Sequence, residues 1–570
     1  MRDLQWYIRK LARALVHFGP AREGNIAITF AFALIPILAF VGAAVDYSRA
    51  NSMKASLQAA LDTTALMASK SASTLTNTQL QAAAQSYFDA LFTRPEANNA
   101  KIDVSYSTSG GSSVVINGSI DMDTAFMGFL GFKTINVVGT STVKWGSARL
   151  RVALVLDTTG SMSSDGKIDA LKTATKNLLA QLQSAASVNG DVYVSIIPFS
   201  KNVNLDPANN NATWIDWTDW ESEPAILKAS KPASWSLTGP GSACPFSMSS
   251  YGFKCTTSPV NDSSTTSTIP SSGAYSGYIC PDVDSGGKNA TKIGIYYNGC
   301  YNSVPTTTVT TNIIDTGKNA SCGHASNCSC TGSGKNKVCT QIVTTTGAPY
   351  THTWIKNAHT TWNGCVTDRG TASAPSADYD RLVTAPTTSI VATLFPAEQN
   401  FYCSSLISGL SYNWSAMTSQ VDGLTPRGAT NQPIGLVWGW QSLVGGGPLT
   451  APAKDSSYTY TDVIILLSDG LNTLDRWYGN GSSTSTSVDA RMYDSSGNGT
   501  CANINAAGIT VYAIQVNTGG DPTSALLQSC AGSPNKFPDS SKFFLLTSAA
   551  QIITTFDAIG TKLTQLRVAK

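Results

Sequence analysis

Charged side chains are scarce here: Asp, Glu, Lys and Arg make up 13% of the 570 residues, about half the usual ~25%. The charge present nearly cancels, 38 basic residues against 36 acidic, for a formal net of +2. Only the first two dozen residues are notably basic, so nothing points to nucleic acid or another polyanion. Histidine is rarer still, at 17, 324, 352 and 359 only, and no G-x-S-x-G elbow occurs. A Ser–His–Asp hydrolase therefore has little to be built from. No repeat of fixed period is evident. Glycine (47) and proline (24) stand near their average shares, which excludes a collagen-like or low-complexity chain. Polarity comes instead from Ser, Thr, Asn and Gly, and twelve cysteines crowd mostly into one central stretch. That composition suits an oxidising, extracytoplasmic compartment better than a cytosolic catalyst. The length calls for two or three domains.

One long apolar run is present. Ile26–Val45 reads IAITFAFALIPILAFVGAAV without a charge, enough at 1.5 Å per residue to cross a hydrocarbon core of about 30 Å. Pro36 is tolerated in a membrane helix. A cleaved signal peptide would have an apolar stretch of only ~7–15 residues before a small-residue site, and Ala43-Ala44-Val45 makes a poor one. An uncleaved anchor is the reading adopted. Arg2, Arg9, Lys10, Arg13 and Arg22 precede it, while Asp46, Arg49 and Lys54 follow. The positive-inside rule then places the N-terminus in the cytoplasm and the bulk of the chain outside.

Beyond the anchor, 46–92 is rich in Ala, Leu, Gln, Met and Ser, with Leu57, Ala60, Leu61, Ala65 and Ala68 at helical spacing. The pattern predicts one helix continuing out of the membrane. From 101 to 144, KIDVSYS, SVVING and TINVVGTSTV read as strands, broken by Gly110-Gly111 and Asn117-Gly118. Strands at 150–156, 192–199, 463–467 and 509–516 then alternate with helices at 167–186 and 548–566, the pattern of an α/β domain with a mostly parallel sheet. Between 199 and about 403 that pattern is lost over some two hundred residues carrying ten cysteines. Such a stretch is too long for a plain loop and reads as a disulfide-stapled excursion.

The candidate chemistry lies at strand ends. Asp157-Thr158-Thr159-Gly160-Ser161 follows the strand LRVALVL and precedes a helix, so a carboxylate and two hydroxyls can converge where open α/β sheets bind ligands. Thr425-Pro-Arg-Gly-Ala-Thr430 can bring a third hydroxyl, and Ser468-Asp469-Gly470 a second carboxylate at the end of VIILL. Hard oxygen donors of this kind suit Mg²⁺. The set resembles the metal-ion-dependent adhesion site of von Willebrand factor A domains, D-x-[ST]-x-S with a distant Thr and a distant Asp. Position by position, Asp157, Thr159 and Ser161 match the first loop, Thr430 the second and Asp469 the third. Thr159 stands where the pattern more often has Ser, which keeps the hydroxyl and adds a methyl.

The flanking segments narrow the resemblance. GNIAITFAFALIPILAFVGAAVDYSRAN, LQAALDTTALMAS, LTPRGATNQPIGLVWGWQSL, the pair Cys501 and Cys530 around AGITVYAIQVN, and the closing KLTQLRV are similar to TadG-like proteins of the tight-adherence (Flp) pilus system. The resemblance implies a Rossmann-like von Willebrand A fold, a mostly parallel sheet with flanking helices. A transmembrane helix, a small α+β pilin-like region and a long disulfide-rich insertion accompany it. The divisions expected are a basic cytoplasmic tail at 1–23, the transmembrane helix at 24–46, the pilin-like stalk helix and sheet at 47–148, the first part of the A domain at 149–205, the insertion at 206–402 and the second part at 403–570. Pilin-like relatives that are processed cleave after a Gly with Glu five residues on. Here Gly24 is followed by Asn25 and Thr29, so a permanent anchor is expected.

Cys501 and Cys530 are expected to pair. The other ten, Cys244, Cys255, Cys280, Cys300, Cys322, Cys328, Cys330, Cys339, Cys365 and Cys403, can pair fully but in no order the sequence dictates. Cys322, His324, Cys328, Cys330 and Cys339 superficially resemble a zinc cluster, but C-x-C is tighter than zinc spacing and disulfides are favoured. Trp214, Trp217 and Trp220 read as packing rather than a sugar platform.

The expected function is non-enzymatic: an inner-membrane, single-pass protein of Tad/Flp pilus assembly and adhesion, its bulk periplasmic or extracellular. It would bind the pilus machinery, or a surface protein ligand through an acidic residue, at a site holding Mg²⁺ (or Mn²⁺ or Ca²⁺). The alternative is a structural, pseudopilin-like assembly component whose metal site only stabilises the domain. A metal-assisted hydrolase lacks an evident acid–base partner.

Overall fold

A computed structural model of the chain describes residues 25–109, 111–146, 148–259, 264–284, 293–371, 379–494 and 496–568. The basic tail at 1–23 and the Gly24 position lie outside the described residues. The chain divides into two compact units, one of Met1–Ala148 with Asp455–Thr459 and the last three residues, the other of Arg149–Lys454 and Tyr460–Arg567.

The first unit is built on helix α1, Asn25–Ser69, about 67 Å long at 1.5 Å per residue. Its Ile28–Ser69 stretch is long and apolar enough to cross a membrane. Over 26–45 the described side chains are almost all exposed, Phe30, Phe32 and Phe40 among them. From Met53 onward the helix acquires a buried stripe, Leu57, Ala60, Leu61, Ala65 and Ala68, at the spacing of one helical face. That stripe shares a core with Leu80, Ala84 and Phe88 of helix α2, Asn77–Leu91, and with three antiparallel strands in the order β1 (Ala97–Ser107), β2 (Ser112–Asp123), β3 (Thr134–Trp145).

Two expectations fail here, each for a local reason. The single helix over 46–92 stops at Ser69. The Ser/Thr-rich stretch after it bonds to its own backbone, Thr74 Oγ1 donating to the Ser71 carbonyl, and Thr76 then caps a new helix through a capping box with Gln79. Asn117-Gly118 does not break a strand; it lies inside β2, paired with Thr140 and Gly139 of β3. Gly118 is there for room, since a Cβ on it would stand 2.8 Å from Leu61 Cδ2 of the packed helix.

The second unit carries a six-stranded sheet of β4 (Ala148–Asp157), β5 (Val192–Phe199), β6 (Ser408–Ser411), β7 (Thr459–Ser468), β8 (Thr510–Val516) and β9 (Phe543–Leu546). Their spatial order is β6-β5-β4-β7-β8-β9, the 3-2-1-4-5-6 order of a doubly wound α/β sheet. The β4–β5, β7–β8 and β8–β9 pairs are parallel, and edge strand β6 runs antiparallel to β5. Central strands of near-continuous Val, Ile and Leu need cover on both faces. Leu150, Val152, Leu154 and Leu156 meet helices α3 (Lys167–Ala185), α4 (Trp414–Asp422) and α6 (Ala550–Val568) on one side. Ala153 and Val155 meet α5 (Gln432–Val444) on the other. Gly435 and Gly439 let α5 come close: a Cβ would fall 2.5 Å from Phe199 Cδ1 and 2.4 Å from Val155 Cγ2 respectively.

The insertion is more than an excursion. Its Ile215, Trp220, Trp362, Val366, Phe395 and Ala397 belong to the same core as α5, so it covers one face of the sheet domain. It carries a second six-stranded sheet whose two long central strands, Gly299–Thr316 and Val338–Lys356, pair antiparallel. Its ten cysteines pair as neighbours: Cys244–Cys255, Cys280–Cys300, Cys322–Cys328, Cys330–Cys339 and Cys365–Cys403. The sulfurs of the zinc-like grouping are all held in two of these bonds. Trp220 is buried, and Trp217 stacks on His359 at 3.7 Å between ring centroids.

The close approach of α5 sets a measurable constraint. Gly435→Ala is expected to destabilise the sheet domain by about 1–3 kcal/mol through overpacking against Phe199, read as a lower urea midpoint at unchanged m-value.

Candidate metal centre

Strands β4 and β7 are neighbours at the point where the strand order reverses, where doubly wound sheets leave a crevice beyond the carboxyl ends of their strands. β4 ends at Asp157 and β7 at Ser468, so two residues 311 positions apart are delivered to one place. Ser468 Oγ donates to Asp157 Oδ2 at 2.5 Å. The other oxygen, Oδ1, accepts the Thr159 amide at 2.8 Å and the Thr159 hydroxyl at 2.6 Å. Thr159 Oγ1 lies 3.0 Å from Ser161 Oγ, which donates to Asp469 Oδ1 at 2.7 Å. A Cβ placed on Gly470 would face Thr430 Oγ1 at 3.8 Å and Ser161 Oγ at 3.9 Å. All five oxygen-bearing residues singled out in the sequence, Asp157, Thr159, Ser161, Thr430 and Asp469, thus converge on one cluster.

Backbone contacts hold the three loops in register. The Thr158 amide and hydroxyl both donate to the Phe199 carbonyl, at 2.9 and 3.0 Å. The Gly160 amide donates to the Gly428 carbonyl and the Arg427 amide to the Thr158 carbonyl, at 2.9 and 2.8 Å. Thr430 is clamped by Thr473, whose hydroxyl accepts its amide and whose amide donates to its carbonyl. Gln432, at the start of α5, donates to Ser468 Oγ and to the Gly470 carbonyl.

Three participants were not legible in the motifs. Ser468 was noted only as part of its segment, yet it is the hydroxyl on Asp157. Gln432 carries no motif signal. Lys167 opens α3, and its Nζ is buried against Asp469 Oδ2 at 2.5 Å. The one signal for it was position: a lysine six residues after Ser161, at the first turn of the helix that leaves the loop.

Two carboxylates share this cluster with one ammonium. Asp157 is fully buried, and among the described residues it forms no ion pair. Burial first, and the Asp469 charge second, push its carboxyl up to about 7, against the lowering effect of the Ser468 and Thr159 hydrogen bonds. A buried carboxylate surrounded by hydroxyl oxygens, with too little positive charge beside it, is chemistry that a hard divalent cation completes. The residues fit such a group. A cleft of about 200 Å³, lined by Lys201, Tyr402, Gly428, Ala429 and Leu474 among others, adjoins the loop that carries Thr430.

Elsewhere in the second unit, Cys501 is joined to Cys530 across a 29-residue separation, tying two short helices that flank β8.

The raised carboxyl has a consequence in metal-free protein. With its pKa above the unfolded value, Asp157 holds a proton in the folded state that the unfolded chain releases between about pH 4 and 7. Stability in chelator should therefore fall as pH rises from 5 to 7.5. Asp157→Asn should remove that part of the slope, as read by urea denaturation at each pH.

Comparison with known proteins adds the following. Residues 24–71 match the model of the putative Flp pilus-assembly TadE/G-like family. No curated protein matches. Among solved structures, the pilus adhesin SpaC from Lactobacillus rhamnosus GG is similar at 13% identity and a TM-score of 0.28, over 83% of this chain and 36% of that one. Its open conformation gives 12% identity and a TM-score of 0.27, over 83% and 35%. The chain thus spans little more than a third of that adhesin's length.

Proposed function

We propose that this is a membrane-anchored, non-enzymatic protein of Tad/Flp pilus assembly and adhesion. In this reading its second unit is a von Willebrand A domain that binds a protein partner through a metal-ion-dependent adhesion site. The observation that carries the reading is the convergence of Asp157, Thr159, Ser161, Thr430 and Asp469 at the β4–β7 strand ends. The match over 24–71 supports the pilus context and the long apolar helix supports the anchor; in this reading the basic residues before it keep the N-terminus cytoplasmic and the membrane is the inner one.

These five residues would hold Mg²⁺, or Mn²⁺ or Ca²⁺ in its place. When bound, the cation supplies positive charge and an open coordination position for a carboxylate of the partner. The chain's own residues do the rest. Ser468 and Thr159 orient the two Asp157 oxygens, Lys167 and Ser161 hold those of Asp469, and the Gly160–Gly428 contact fixes the first loop against the Thr430 loop. Hydroxyl donors leave the site low in negative charge, which favours recruiting an external carboxylate over activating water.

A second reading keeps its own support, because the family match lies wholly within the anchor unit. There the chain is a structural assembly component, and the metal loop only stabilises the sheet domain.

Calorimetry of the purified chain should show one Mg²⁺ or Mn²⁺ bound per molecule. Asp157→Ala should abolish it and weaken partner capture at least ~100-fold, about 3 kcal/mol, in protein that circular dichroism shows to be still folded. Capture unchanged in EDTA would overturn the adhesion reading. On the structural reading, removal of the residues beyond Arg149 should leave pilus assembly intact, and loss of pili would count against it.

A further inference from the structure

The loop between β2 and β3 carries a cluster of exposed aromatics besides those of the apolar helix. Its sequence from 124 to 132, TAFMGFLGF, contains no charge. Phe126, Phe129, Leu130 and Phe132 are 49%, 90%, 54% and 62% exposed. Four large apolar side chains side by side on one loop mark an interaction surface rather than scattered surface residues.

The loop is tied to one level of α1. The buried Asp46 carboxylate accepts three successive amides, from Ala125 at 2.8 Å, Phe126 at 2.9 Å and Met127 at 2.7 Å. Charge-assisted bonds to backbone are among the stronger ones a protein makes. One turn earlier the helix presents Gly42, where a Cβ would stand 2.5 Å from Phe126 Cβ, so the loop lies directly against the helix. Asp46 is the first charged residue after the uncharged run Ile26–Val45. The aromatic loop is therefore fastened where the apolar run ends, at the depth of a bilayer surface. Lys133 follows the loop, and Arg49 lies one helical turn beyond Asp46, its Nη1 3.6 Å from Asp46 Oδ1. Basic groups at that level suit lipid headgroups.

We propose that Phe126, Phe129, Leu130 and Phe132 insert into the outer boundary of the lipid bilayer that α1 crosses, forming a second foot beside the anchor. The occupant is the lipid itself, because the patch continues the apolar surface of the helix at the depth where that surface ends. Phe and Leu on a compact apolar surface are the residues that bury in the headgroup–acyl boundary. Held at two places, the first unit has its tilt and rotation about α1 fixed relative to the membrane plane. This inference rests on α1 being a membrane anchor.

All twelve cysteines are in disulfides, so a single introduced cysteine can be labelled with an environment-sensitive fluorophore in the full chain reconstituted in vesicles. Three sites serve: F129C on the loop, F32C within the apolar run, and T108C in the β1–β2 turn at the far end of the sheet. The expected result is that the F129C label is quenched by lipids carrying a shallow spin label and shielded from aqueous iodide, while T108C is open to iodide. An F129C label open to iodide, with F32C quenched by lipid, would overturn the loop proposal and leave the anchor standing. Shielding of F129C from iodide without lipid quenching would mean that protein covers the loop, and would overturn it equally. Failure of lipid to quench F32C would remove the anchor reading and the loop proposal together.

Discussion

A buried carboxylate held by the hydroxyls of Thr159 and Ser468 is the constraint around which the second unit is arranged. Asp157 terminates a strand buried along almost its whole length, and among the described residues its oxygens accept two hydroxyls and one amide from neighbouring loops. Leaving such a group unpaired would cost several kcal/mol. The loop after β4, the end of β7 and the start of α5 are each held in place by side chains that also answer to that charge. Gln432 shows the coupling well: it bonds both Ser468, which serves Asp157, and the carbonyl of Gly470 beside Asp469. Packing of the helix and order in the cluster are therefore one problem with one solution.

The same arrangement explains how so long a detour is tolerated. The insertion leaves after β5 and returns before β6, at the edge of the sheet, so the β4–β7 junction is undisturbed. What the detour brings back is apolar cover. Trp362, Phe395 and Val366 pack in the core shared with Phe199 and Trp438. Its disulfides close short loops, four of them spanning 6–20 residues and the fifth 38, and Cys244–Cys255 packs into a small core of the insertion's own, formed with Leu227, Phe246, Phe253, Ile269, Ile279 and Tyr301.

Much of this was legible in the residues. Runs such as LRVALVL and VIILL announce two-sided burial, and both stand as central strands. The five oxygen donors were legible because they sit at strand ends or in a short loop with a recognisable spacing. Lys167 and Gln432 were not, because their roles arise from tertiary neighbours and leave no periodicity. Asn117-Gly118 misled for a related reason: the pair favours turns locally, but Leu61 of a packed helix needed the space. The break after Ser69 was written in the sequence, in the Thr76–Gln79 box, and helical spacing of alanines on either side concealed it. The insertion's share in the core could not be read at all, since no pattern of its own distinguishes a tryptophan facing the sheet from one facing a local cluster.

The placing of β4 between β5 and β7 has a cost in time. During synthesis the first two strands are complete by Phe199, while the partner for the open side of β4 begins at Thr459. For some 260 residues of elongation an oily strand offers an unsatisfied edge, the sort of template that invites pairing with the wrong chain. Such long-range closure is slow. That edge stays open until the last fifth of the chain arrives, so solitude of the nascent molecule during that interval is part of what this architecture demands.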